Sequence, residues 1–283
     1  MKAYPFAAAR VFGTPLAIHA SKGKVIAQAL AGAMGLTPKA GDEEGGLVVA
    51  AGAGAAEYQV VRGVAIIPVQ GTLVHKASWL DAACGMRGYN AIRAEFDAAM
   101  KDPEVRAVCF AVDSPGGEVS GCFDLVDAIY GARGVKPMWA ILDDSAYSAA
   151  YAIASAADRI VVPRTGGTGS VGVIAMHAER SKSLKKEGVA ITIFQYGDRK
   201  ADGNEFNPLS DEATAAFQAD VDLMGDLFVQ TVARNRSLSS AQVRDTQAGT
   251  YLGVAGVQVG FADAVQAPDE AFRSLVESLG TLT

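Results

Sequence analysis

The feature that most constrains this chain is a series of short apolar runs with no polar residue alternating through them. Val64–Val69 (VAIIPV), Ala107–Val112 (AVCFAV), Met138–Leu142 (MWAIL) and Ile160–Val162 follow this pattern. A strand with one solvated face alternates, so runs apolar at every position belong to strands covered on both faces, as in parallel sheets. The segments between them read as the covering helices. Tyr89–Lys101 sets Ile92, Phe96, Ala99 and Met100 on one helical face and stops at Asp102-Pro103. Val119–Tyr130 and the small-residue stretch Ala146–Ala157 supply two more. Alternating strand and helix predict an α/β fold with a mostly parallel sheet. Pro68 lacks an N–H for the ladder, which predicts an edge or strand end for the first run.

Further along, Ser170–Ala175 and Val189–Phe194 (VAITIF) are expected to be two more strands. They are joined by a helix with Lys182, Lys185 and Lys186 in its last turns and Gly188 as a left-handed cap. Ser210, followed by Asp211 and Glu212, predicts the N-cap of a long helix carrying Phe217, Val221, Met224 and Phe228 on its core side. A last helix is expected near Asp269–Leu279. Residues 1–57 read differently: a short helix near Val25–Met34, then a Gly/Ala-rich linker from Gly41 to Ala56. The expected division is therefore 1–57, a main domain over 58–265, and a C-terminal helix and tail over 266–283.

The chain has 283 residues, 25 Lys+Arg against 31 Asp+Glu, and a net charge of −6. Without clustered cations to displace counterions, nucleic acid is not an expected partner. The longest uncharged apolar-rich stretch, Gly45–Ala56, falls well short of the roughly 20 residues needed to cross a bilayer, so no membrane span is predicted. Near the N-terminus, Pro5 and Arg10 interrupt any signal-like apolar core. Cys84, Cys109 and Cys122 are odd in number and unpatterned, which fits small core residues in a reducing compartment. No histidine or cysteine pair has metal-ligand spacing and no glycine loop ends in Gly-Lys-Ser/Thr, so neither metal nor cofactor is predicted.

Two strand ends carry residues suited to chemistry. Asp113-Ser114-Pro115-Gly116-Gly117 directly follows the second apolar run, and its glycines allow a tight turn with N–H groups open toward the strand ends. A Pro-Gly-Gly turn is, taken alone, more often only a turn. Asp144-Ser145-Ala146-Tyr147-Ser148-Ala149-Ala150-Tyr151 follows the next run and enters the small-residue helix. A serine at a strand-to-helix junction holds its hydroxyl where a substrate can meet it, which makes Ser148 the candidate nucleophile. Its plain alternative is a helix N-cap. For a base, His19, His75 and His177 stand in no recognisable triad context. Lys200, in the loop after Val189–Phe194, could serve if its amine were neutral, with Arg199 beside it favouring that form and Asp198 and Asp202 opposing it. Spacing alone leaves a surface lysine as the commoner case.

In chain order these segments resemble the Ser/Lys peptidases of the signal peptide peptidase A type. The resemblance covers most of 58–265 and rests on Gly71-Thr72-Leu73, Asp113–Gly117, Ser145–Tyr151 leading into Ala154–Asp158, Thr168–Ile174, Gly197–Asn204 and Pro208-Leu209-Ser210. It implies the fold shared by the Clp protease subunit and the crotonases, with repeated β-β-α units. It also implies Ser148 as nucleophile, Lys200 as general base, the backbone N–H groups of Gly116 and Ala149 as the oxyanion hole, and Gly117 and Tyr147 beside the substrate. Serine and lysine can come from neighbouring subunits in that family, so a homo-oligomeric ring is implied.

The nucleophile segment departs from the family's usual Ala-Ser-Gly-Gly-Tyr, reading Tyr147-Ser148-Ala149-Ala150-Tyr151. The resemblance is greatest to the soluble capsid assembly proteases of lambda-like tailed phages, through Ala9–Ile18 and Tyr58–Val69. That branch implies a soluble serine endopeptidase in the host cytoplasm, packed in the procapsid, with phage scaffold, portal and capsid proteins as substrates or assembly partners. Many of its members continue into a scaffold-like C-terminal region. The alternatives are a cytoplasmic peptidase clearing peptides, a non-catalytic capsid-assembly protein on the same fold, and an acyl-CoA enzyme of crotonase type. The last would want a carboxylate where Ser148 stands, with only Asp143 and Asp144 nearby in sequence.

Overall fold

The apolar runs do lie side by side in one sheet, in a computed structural model that describes residues 15–18, 58–77 and 85–280. The helix expected at Val25–Met34 and the linker at Gly41–Ala56 lie outside the described residues. In chain order the strands are β1 (Leu16–Ile18), β2 (Gln59–Val61), β3 (Val64–Gln70), β4 (Thr72–Val74), β5 (Met86–Gly88), β6 (Ala107–Ser114), β7 (Gly116–Glu118), β8 (Met138–Tyr147), β9 (Arg159–Val162), β10 (Gly167–Gly169), β11 (Thr250–Leu252) and β12 (Ala264–Val265). The helices are α1 (Tyr89–Lys101), α2 (Cys122–Gly131), α3 (Ala149–Ser155), α4 (Ser181–Lys186), α5 (Asp211–Arg236), α6 (Ser240–Asp245), α7 (Val254–Gln258) and α8 (Pro268–Gly280).

The main sheet runs β11-β10-β8-β6-β3-β2, with β9 on β8 and β12 on β9. Its centre is parallel: β3 pairs with β6, β6 with β8, and β8 with both β9 and β10. Both faces are covered, as the missing alternation requires. On one side Ile92, Phe96, Val126, Ile129, Ile153 and Phe228 from α1, α2, α3 and α5 close the larger core. On the other, Ala271, Leu275 and Leu279 of α8 pack on Val64, Cys109, Ile141 and Val161. Cys109 and Cys122 are buried free thiols, and desolvation pushes both pKa values up to about 12. Pro68 sits where β3 has run past the end of β2, so its missing N–H removes no ladder bond on that side.

In a second, smaller sheet, β1-β7-β4-β5, the inner strands β4 and β7 are continuations of β3 and β6. The chain crosses into it at two points. Gly71 N–H donates to Asp113 O at 3.0 Å, and Ser114 Oγ donates to Gly71 O at 2.7 Å. Gly71 has φ +67°, and a Cβ on it would collide with the Gly85 carbonyl, which accounts for glycine there.

Two expected strands are corrected. Ser170–Ala175 forms no named strand and contributes a single bridge at Ile174; the strand in that region is β10, one segment earlier. Val189–Phe194 forms no strand in the described chain and lies exposed. The helix before it is α4, with Lys185 and Lys186 in its last turn and Gly188 at φ +73° beyond it. Ser210 does cap α5, its side chain accepting from Ala213 N–H at 3.1 Å.

Candidate active site

β8 delivers Ser148 to the start of α3. Ser148 itself has φ +55° and ψ −121°, a conformation that a non-glycine residue adopts only when its surroundings impose it. Ser148 N–H donates to Gly169 O at 2.8 Å and its carbonyl accepts from Ala152 N–H at 2.9 Å, so the ladder on one side and the helix on the other hold the turn. A sharp strand-to-helix turn of this kind is the geometry of a nucleophile elbow. Ser148 Oγ donates to Gly172 O at 3.5 Å, a long bond that leaves the hydroxyl weakly committed. The residue is fully buried.

Ala149 and Ala150 are helical and have no positive φ, so their methyl groups sit in the first turn of α3 without strain. The departure from a Gly-Gly pair is therefore accommodated by the backbone. Ala149 N–H, at the start of the helix, has no acceptor within it. The far end of α3 is fixed by Arg133, whose guanidinium donates to the carbonyls of Ser155 (2.9 Å), Ala156 (2.9 Å) and Ala157 (2.7 Å), and to that of Asn235 (3.1 Å). A cation on those last carbonyls completes the helix's unmet acceptors.

Opposite Ser148 stands the Ser114–Gly117 turn. Gly116 has φ +99°; a Cβ built on it would lie 2.9 Å from Ser148 Cβ and would collide with the Ala17 carbonyl oxygen. Gly116 N–H donates to Ser114 Oγ at 3.1 Å. Gly117 runs flat against β4, where any side chain would strike the Leu73 carbonyl. Tyr147 is half-buried with its ring on Gly167, where a Cβ would meet the hydroxyl; desolvation first, then Asp144, raises its pKa. The Gly116-Gly117 turn and the Tyr147-Ser148-Ala149 junction thus lie side by side.

Lys200 does not join them. It lies in an exposed turn, its N–H donating to Gly197 O at 3.1 Å, and its ammonium makes no ion pair among the described residues. Arg199 beside it pairs with Asp202 at 3.1 Å. The histidines are engaged elsewhere: His75 Nδ1 lies 3.2 Å from Ser120 Oγ, and His177 Nε2 lies 3.0 Å from Asn204 O. His19 lies outside the described residues. Among the described residues no group of three or more His, Cys, Asp or Glu is placed to hold a metal ion. What the sequence reading missed is β1, whose Leu16, Ala17 and Ile18 pair antiparallel with Glu118, Gly117 and Gly116 beside the serine. Three residues after a proline carry too short a pattern to announce a strand.

Comparison with known proteins is decisive for the family: the model of peptidase family S49 matches residues 132–281. The chain belongs to that family. Capsid assembly protease C of Escherichia phage lambda is 35% identical over 289 residues, covering 97% of this chain and 66% of that protein. Head-tail preconnector protein GP5 of Enterobacteria phage P21 is 38% identical over 224 residues, 79% of this chain and 45% of that one. Protease 4 of Haemophilus influenzae is 28% identical over 219 residues, 76% and 34% respectively. This chain therefore spans just under two thirds of the lambda protein and less than half of the other two. An enoyl-CoA hydratase/isomerase family member of solved structure aligns with a TM-score of 0.45 at 14% identity, covering 79% of this chain and 74% of that one. Among the described residues no helix is long and apolar enough to cross a membrane.

Proposed function

We propose that this S49 peptidase is a serine endopeptidase in which Ser148 is the nucleophile and Lys200 the general base, and that it acts in phage head assembly on scaffold and portal proteins. The observation that carries the reading is Ser148 held at positive φ between a glycine turn and a helix start. In this scheme Ser148 Oγ attacks the scissile carbonyl carbon while a neutral Lys200 Nζ accepts its proton. The oxyanion takes the N–H groups of Gly116 and Ala149, replacing Ser114 Oγ as the acceptor of the first. Lys200 returns the proton to the departing amine as the C–N bond breaks, and a water repeats the sequence on the acyl-serine.

The lysine is exposed in one copy of the chain, so a second copy completes the site. Lys200 ends a segment that presents Val189, Ile191, Ile193, Phe194 and Tyr196 to solvent, the last two 93% and 100% exposed. Exposed apolar residues, three of them β-branched, that pair with no strand among the described residues suit a strand that pairs between subunits of a homo-oligomer, and they would bring Lys200 to a neighbour's Ser148. The names and coverage of the lambda and P21 relatives support a phage-head role over a cellular peptide-clearing one.

The test is co-expression with candidate phage portal and scaffold proteins and mass spectrometry of the products. Wild type should cut them, and Ser148→Ala and Lys200→Ala should each lose at least about three orders of magnitude in rate, or ~4 kcal/mol, while remaining folded. Processing retained by either variant would overturn the dyad.

A further inference from the structure

A serine that must meet a polypeptide is fully buried here, and the chain segment crowding it is its own residues 15–18. Leu16, Ala17 and Ile18 are themselves buried at 6%, 0% and 5% exposure. They lie in a slot with two backbone walls. On one side β7 takes them in antiparallel register, Ile18 opposite Gly116, and Val119 N–H donates to Pro15 O at 3.4 Å. On the other, Leu16 and Ile174 exchange both bonds, Leu16 N–H to Ile174 O at 2.8 Å and Ile174 N–H to Leu16 O at 2.9 Å. The Ala17 carbonyl and Ser148 Cβ crowd the same point, the place a Cβ on Gly116 would take.

β7 does not depend on this strand for its place, because it is also paired with β4 at Leu73–Gly117. Removing β1 would turn β7 into an open edge ending at Gly116, with the Ile174 backbone facing it across the slot. Such an edge accepts an extended peptide by strand addition, the main chain supplying affinity.

We propose that the slot between β7 and Ile174 is the groove for extended polypeptide substrates, and that residues 15–18 of the same chain are its resident occupant, which has to leave before another polypeptide can enter. The occupant shows what the groove takes: aliphatic side chains at the Leu16 and Ile18 positions and a small one between them. This inference rests on the peptidase reading for the role of the groove, but its test needs no turnover.

All arms carry Ser148→Ala, and the probe is a fluorescent peptide with the sequence of residues 12–20. A tethered strand competes at an effective concentration in the millimolar range, so the full chain should bind the probe poorly. Adding Leu16→Asp with Ile18→Asp should raise affinity at least about tenfold. In a separate variant, Leu16→Cys with Ile174→Cys, the hydrogen-bonded pair sets the Cα atoms about 5.5 Å apart. That is within disulfide range of roughly 4.4–6.8 Å. Oxidation should abolish probe binding and reduction should restore it. This arm decides the matter even if the aspartate variant unfolds. Equal affinity with and without the aspartates in a folded variant, or probe binding by the oxidised form, overturns the proposal. Expected binding, with no cleavage of the probe by a Leu16→Asp, Ile18→Asp variant that keeps Ser148, would instead overturn the peptidase reading alone.

Discussion

The β6–β8–α3 core and the segment from Val189 to Lys200 are built to opposite rules. In the core every residue of α3 is buried, Ser148 is locked between two hydrogen bonds, and glycines mark the places where no side chain fits. In the second segment every residue is exposed, including apolar ones that water does not favour. One half of the candidate machinery is finished within a single chain, and the other half has the composition of a buried strand without the burial. The contrast teaches that a strand-like pattern and a buried setting are separate things in this chain, and that the proposed lysine stands with the first and not the second.

The strongest way to break that comparison is complementation. Ser148→Ala and Lys200→Ala, each inactive alone, should regain about a quarter of wild-type activity when co-assembled in equal amounts, because random mixing leaves that share of interfaces with both groups intact. No recovery in verified mixed assemblies would place the pair within one subunit. On the core side, Gly117→Ala forces a methyl group onto the Leu73 carbonyl and should cost about 3 kcal/mol in a denaturant titration. Arg133→Ala strips the carbonyls at the end of α3 and should cost ~2 kcal/mol by the same measurement. On the exposed side, Phe194→Ser with Tyr196→Ser should change monomer stability by less than about 0.5 kcal/mol. It should still shift sedimentation toward the monomer. A large loss of stability there would show that the segment packs on its own chain after all.

The same contrast explains what could be read from the sequence. The buried runs and α1, expected at Tyr89–Lys101 and found there, are set by local pattern and by a core within the chain. So are the Ser210 cap and the left-handed Gly188. Val189–Phe194 has an equally strong strand pattern, but a pattern does not supply a neighbouring strand, and among the described residues none pairs with it. β10 was missed for the opposite reason. Gly167, Thr168 and Gly169 have poor strand propensity, yet β8 and β11 clasp them from both edges, and a Cβ at Gly167 would meet the Tyr147 hydroxyl. The Ser148 position was legible as a junction; its positive φ was not, because serine gives no sign of the backbone region it is made to occupy.

That backbone region has a consequence for how the protein can change. Glycine would relieve about 1–3 kcal/mol of torsional cost at position 148, so the hydroxyl stands where thermodynamics alone would delete it. Mutagenesis that screens only for heat resistance should drift toward glycine there and remove the proposed nucleophile. Ranking substitutions at this position by robustness therefore selects against the proposed nucleophile.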